Sequence, residues 1–217
     1  MGKKVGVLLS GCGVFDGAEI HESVLTLLNL DKAGAEIVCM APDMEFPVVN
    51  HITQEATGEK RNILLESARI ARGEIKNLKD VQASDLDALI MPGGMGAAKN
   101  LSDFADKGTD AVVLPEVQRI LQDMLSAGKP VGAICIAPAT LTKALGDKNP
   151  EVTIGNDMNT ASALESMGAR HFNCNVDMVH VDEKNKIVTT PAYMLGPGIK
   201  DIAAGIEKLV NKIVSMA

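Results

Sequence analysis

Aromatic side chains are nearly missing from this 217-residue chain, which has no Trp, one Tyr and four Phe. Platforms for stacking bases or sugar rings therefore have few candidates, which weighs against single-stranded nucleic acid or carbohydrate as a ligand. Basic runs are lacking as well. The net charge of −7 sets the surface against nucleic acid and anionic membranes as partners. No apolar stretch approaches the roughly 18 residues that a membrane span needs. The run Val5–Leu9, behind Met1-Gly2-Lys3-Lys4, is too short for a secretory signal and no small-residue cleavage site follows it. These absences point to a cytoplasmic protein. Its four cysteines, Cys12, Cys39, Cys135 and Cys174, form no CxxC pair, so free thiols are expected rather than bridges, a zinc ribbon or a redox dithiol. None of His21, His51, His171 and His180 has metal-ligand spacing, and there is no P-loop and no acidic magnesium cluster. No metal and no cofactor are expected.

What is present is an ordinary globular mix, 46% apolar and 23% charged, with a core that must be built from Val, Ile, Leu, Met and Ala. Short apolar runs alternate with amphipathic stretches. Val5–Leu9, Glu36–Met40, Leu86–Met91 and Val131–Cys135 read as strands, with a short one at Val152–Ile154. Helices are expected from about Ala18 to Ala33 (Ile20, Val24, Leu27 and Leu28 on one face), over Leu114–Leu125, near Ala161–Met167, and from Pro197 to the end. Met178–Val181 and Ile187–Thr190 flank a polar turn and read as a hairpin. The pattern predicts an α/β three-layer sandwich of the flavodoxin-like kind, a mostly parallel sheet with a small antiparallel hairpin near one edge. Residues 1–217 read as one domain. Residues 43–80 do not fit a minimal βαβ unit and read as a polar, partly helical insertion, suited to a lid or a dimer contact.

Chemistry concentrates at Gly132-Ala133-Ile134-Cys135-Ile136-Ala137-Pro138-Ala139. An apolar strand runs into Cys135, and small residues with a Pro open a helix. This is a nucleophile elbow with cysteine in place of serine, where the helix start favours a thiolate and the N–H of Ile136 meets a developing oxyanion. The loop after the third strand, Pro92-Gly93-Gly94-Met95-Gly96, lets backbone approach closely and offers a second N–H donor. The first βα loop carries Gly11, Cys12 and Gly13 and suits a pocket wall. It has a Rossmann flavour, but the third glycine is misplaced for GxGxxG and the second strand ends in Met40-Ala41 rather than an acid for a ribose. A nucleotide-dependent oxidoreductase is therefore the weakest reading. The helix behind that loop begins with Glu19, His21 and Glu22. One carboxyl from this turn could reach the cysteine, where it would have a raised pKa and share a proton with the thiol. His21 and His51 lie in segments able to reach the pocket, whereas His180 sits in an alternating strand and reads as structural.

Ser10–Glu22, Pro92–Asn100, Cys135–Ala139 and Thr189–Met194 closely resemble the ElbB family, the "enhancing lycopene biosynthesis" or sigma cross-reacting proteins of the class I glutamine amidotransferase-like superfamily. The resemblance spans essentially the whole chain. It implies a nucleophile at Cys135, a partner acid at Glu22 rather than Glu19, and glyoxalase activity without glutathione. In that activity a Cys135 hemithioacetal of glyoxal, a small dicarbonyl, leads to glycolate. It also implies a homodimer. The superfamily's histidine, one strand beyond the nucleophile, has no counterpart in Val152-Thr153-Ile154-Gly155-Asn156, so a Cys–His triad is not carried over and protease or amidotransferase chemistry loses its acid. The competing reading is a non-catalytic module, sensing oxidants through Cys135 or binding a metabolite, with an indirect link to isoprenoid metabolism.

Overall fold

The computed structural model describes residues 2–217. In chain order the first half contains β1 (Lys4–Leu8), α1 (Ile20–Lys32), β2 (Glu36–Ala41), β3 (Glu45–Val49), β4 (Ala56–Asn62), α2 (Ile63–Ile70), β5 (Ile75–Asn77), β6 (Ala88–Met91), α3 (Met95–Lys99) and α4 (Phe104–Lys107). The second half contains α5 (Pro115–Ser126), β7 (Val131–Ile134), α6 (Ala137–Leu145), β8 (Glu151–Val152), α7 (Met158–Ser166), β9 (Arg170–His171), β10 (His180–Asp182), β11 (Ile187–Thr190) and α8 (Ile199–Met216).

Seven strands form one sheet in the order β10-β11-β7-β6-β1-β2-β5. Every pairing in it is parallel except β10 with β11, which is antiparallel and lies at the edge. The expected α/β three-layer, flavodoxin-like fold with an edge hairpin is what the chain adopts. Strands buried on both faces read as continuous apolar runs, and β6 shows how the two faces are shared. Leu89 and Met91 join the core under α5 and α6. Ala88 and Ile90 join the core under α1 and α8, with Ile202, Ile206 and Leu209.

From β1 the chain first turns to β2 on one side, then crosses to β6 on the other. The loops after β1, β6 and β7 therefore open at the carboxyl edge where the strand order reverses, the place where open α/β sheets bind ligands.

Helix α1 lies the other way round from the expectation. Ile20, Val24 and Leu28 are 42, 49 and 44% exposed, and the buried side is Glu22, Ser23, Thr26, Asn29 and Leu30. The inner polar groups are satisfied within the helix: Ser23 Oγ donates to the Glu19 carbonyl and Thr26 Oγ1 to that of Glu22, both at 2.7 Å. Small side chains that bond their own backbone let α1 sit close to α8, and this orientation carries Glu22 inward.

Residues 43–80 divide. The β3–β4 hairpin forms a sheet of its own, while α2 leads to β5, which pairs with β2 at the edge of the main sheet. The short strand expected near Val152 lies outside the main sheet, since β8 pairs with β9 in a two-stranded sheet.

Candidate active site

Cys135 sits between β7 and α6 with φ at 60°, a conformation that costs a non-glycine residue energy and persists where the surroundings enforce it. Its N–H donates to the Thr190 carbonyl at the end of β11, 3.0 Å away. The turn aims the side chain at the carboxyl edge, where the N–H groups of Gly94 and Ile136 donate to Sγ. Ile136 follows the cysteine and Gly94 ends the β6 loop, so two separate strands supply the two donors.

Glu22 meets the thiol from α1. It is fully buried. The Gly93 N–H donates to Oε2 at 2.8 Å, the Tyr193 N–H to Oε1 at 3.4 Å, and a hydrogen bond joins the carboxyl to the Cys135 thiol. Glu19 caps the helix, accepting the Glu22 N–H at 2.7 Å. The Gly93 carbonyl accepts the N–H of Glu19 at 2.9 Å, which ties the glycine loop to the start of α1.

Electrostatics at the pair are governed by burial. Desolvation, and then the Glu19 carboxylate, push Glu22 up from 4.5 to about 8. Desolvation and the Glu22 carboxylate push the Cys135 thiol well above its ordinary value, against the pull of the Gly94 and Ile136 N–H groups. The thiolate expected from the helix start alone is thus outweighed. Near neutrality the two groups hold their protons in common rather than as an ion pair.

Gly93 is required sterically: a Cβ there would lie 2.5 Å from Cys135 Cβ and 2.7 Å from Glu22 Oε2. Gly94 has φ of 90° and would press a Cβ to 2.4 Å from the Glu19 nitrogen. Gly93→Ala is expected to separate thiol from carboxyl and cost about 1–3 kcal/mol of stability. Denaturant titration of the variant against wild type checks this.

The structure brings Cys135, Glu22, Gly93, Gly94 and Ile136 together. It places Gly11, Cys12 and Gly13 towards the hairpin and α2 instead. The Gly11 N–H donates to Ser67 Oγ at 2.9 Å, and a Cβ on Gly13 would meet His51 Nε2 at 2.5 Å. Cys12, its pKa raised by burial, feels the charges of Glu66, Arg69 and Asp16. Among the described residues none of these three has a hydrogen bond to Cys135 or Glu22. His51 belongs to the same wall, accepting the Phe15 N–H at 3.3 Å. His180 stacks on Phe172 with ring centroids 4.2 Å apart.

One neighbour escaped the sequence reading. Tyr193 hydrogen-bonds Glu22 through its backbone, and its Oη lies 2.7 Å from His21 Nδ1. The available signal was position: Tyr193 lies three residues beyond the carboxyl end of β11.

Cys135 is 8% exposed, and clefts of about 520 and 450 Å³ are lined by other residues, so the thiol suits a very small partner. No group of three or more His, Cys, Asp or Glu among the described residues could hold a metal ion. No helix there is long and apolar enough to cross a membrane.

A family model described as the DJ-1/PfpI family matches residues 12–193. The human glutamine amidotransferase-like class 1 domain-containing protein 3, mitochondrial, is 45% identical over 98% of this chain and 83% of its own length. A crystal structure of an isoprenoid biosynthesis protein with an amidotransferase-like domain, from Ehrlichia chaffeensis, is 36% identical over 99% of this chain and 100% of that one, with a TM-score of 0.92. Glyoxalase III from Candida albicans, 16% identical over 99% of this chain and 97% of that one, shares the fold with a TM-score of 0.64.

The human relative corrects the expected cytoplasmic location, because it is a mitochondrial protein. The expectation rested on the lack of a secretory run, and mitochondrial addresses are amphipathic, Arg-rich leaders with no such run.

Proposed function

The chain belongs to the DJ-1/PfpI family, and from that premise we propose that it is a cofactor-independent glyoxalase of the ElbB branch, turning glyoxal into glycolate through a Cys135 hemithioacetal. The observation that carries this reading is the buried hydrogen bond between the Cys135 thiol and a Glu22 carboxyl raised to about 8. The branch assignment is supported by 36% identity to the Ehrlichia isoprenoid biosynthesis protein.

The chemistry follows from a pair that shares one proton. The Glu22 carboxylate takes the thiol proton as sulfur adds to one aldehyde carbon. It returns that proton to the new alkoxide, which the Gly94 and Ile136 N–H groups stand ready to stabilise. The carboxylate then removes the hydrogen from the carbon bearing sulfur, the hydroxyl proton on that carbon passes to the neighbouring oxygen as the enediolate forms, and Glu22 delivers the abstracted hydrogen to the neighbouring carbon. The hemithioacetal becomes a glycoloyl thioester with no oxidant consumed, and water releases glycolate. The active form has one proton on the pair, so the rate should rise with pH and level off above about 8, the value to which Glu22 is raised.

A peroxide-sensing role has less support, since sensor thiols are exposed and acidic whereas Cys135 is buried and its pKa is raised. The same reading includes a homodimer, for which the exposed apolar row Ile20, Val24 and Leu28 is the natural contact.

The test is direct. Wild-type protein is mixed with glyoxal in amine-free, thiol-free buffer, quenched in acid and mapped by peptide mass. A glycoloyl adduct confined to Cys135, with free glycolate in solution, is the expected result. An unmodified Cys135 with no glycolate sinks the reading.

A further inference from the structure

Thioester hydrolysis needs a base for the attacking water, and the buried pair is badly placed to supply one. Glu22 is fully buried and Cys135 nearly so. The stretch Val152–Asn156 holds no histidine to serve instead. The groups around Glu22 do include one imidazole, on the solvent side. His21 is next to Glu22 in α1, and its side chain is 48% exposed. Its Nδ1 lies 2.7 Å from Tyr193 Oη and 3.9 Å from Glu19 Oε1, and the two rings are tilted by 49°. Tyr193 is anchored in turn by its own N–H on Glu22 Oε1. Burial and the Glu19 and Glu22 charges push its phenol up, which keeps it a neutral phenol against the imidazole.

We propose that Tyr193 and His21 form the base of the hydrolytic half-reaction, doing from α1 and the loop after β11 what the missing histidine does not. The proposal rests on the thiol–carboxyl reading above. A water against Tyr193 Oη loses a proton to that oxygen as the phenol proton passes to His21 Nδ1. The hydroxide adds to the thioester carbon, the carbon–sulfur bond breaks, and the proton returns from the imidazolium to the departing sulfur. One water is consumed, one glycolate is formed, and the thiol, phenol and imidazole are restored. Glu22 thus serves the carbon proton and His21 the water. Glu19 also faces His21, with Oε1 3.9 Å from Nδ1.

The experiment is rapid-quench mass analysis of wild type, His21→Ala and Tyr193→Phe with glyoxal. Both variants should form the Cys135 glycoloyl adduct at close to the wild-type rate. Both should release it roughly 10- to 100-fold more slowly, so that adduct accumulates. Imidazole added to the buffer should restore release in His21→Ala and leave Tyr193→Phe unchanged. Release at the wild-type rate in both variants, while wild type turns over normally, overturns this proposal alone. So does a loss of adduct formation as large as the loss of release, the signature of a merely structural role. A wild type that forms neither adduct nor glycolate overturns the underlying reading and this proposal with it.

Discussion

Cys135→Ala is expected to lower glycolate formation from glyoxal at least about a thousandfold, to the background of the buffer. Every later step acts on a substrate first bonded to Sγ. The surrounding groups, two N–H donors and a carboxyl, have nothing to stabilise once no carbon is attached there. The variant should remain folded, because alanine keeps Cβ in place at φ 60° and the backbone bond to Thr190 is unaffected. A melting temperature close to wild type with no activity distinguishes loss of the nucleophile from loss of the fold. Retained activity would move the chemistry to another residue.

Glu22→Gln is expected to abolish turnover and, at alkaline pH, to make the protein more stable. Glu22 titrates at about 8 in the folded chain against an ordinary 4.5. Between those values the native state holds a proton that the unfolded chain has released. The stability associated with that proton is full below about 4.5 and is lost as pH rises through about 8. One unit corresponds to about 1.4 kcal/mol, so the window carries on the order of 3–5 kcal/mol, part of it shared with Cys135. Glutamine stays neutral throughout and its amide oxygen can still accept the Gly93 N–H. Thermal unfolding should show wild type falling from pH 5 to pH 8.5 and the variant nearly flat across that range apart from other groups. At the upper end the variant should melt roughly 5–10 °C higher. Parallel curves for the two proteins would show that Glu22 is not held neutral.

These expectations rest on features that differ in how well the sequence revealed them. The run from Gly132 to Ala139 was legible because an apolar strand, a cysteine and a Pro-led helix leave few alternatives. Gly93 and Gly94 were legible because glycine pairs after a strand mark close backbone approach. The orientation of α1 was not. Ile20, Val24 and Leu28 recur at helical spacing, and the ordinary inference buries such a row. Here Ser23, Thr26 and Asn29 satisfy themselves on their own backbone and pack inward, so the apolar row faces out. The edge strand β5 is three residues long with alternating exposure and gives almost no periodic signal. Tyr193 acts on Glu22 through its main chain, a contact no side-chain pattern encodes. The thiol's pKa was misjudged because a helix start is visible in sequence while the depth of burial opposing it is not.

The measurement that bears most directly on the Cys135–Glu22 account is glycolate production from glyoxal in amine-free and thiol-free buffer, run side by side on wild type, Cys135→Ala and Glu22→Gln. Turnover is expected from wild type alone, with both variants at background. Glycolate from Cys135→Ala or Glu22→Gln at the wild-type rate, or none from wild type, would contradict it.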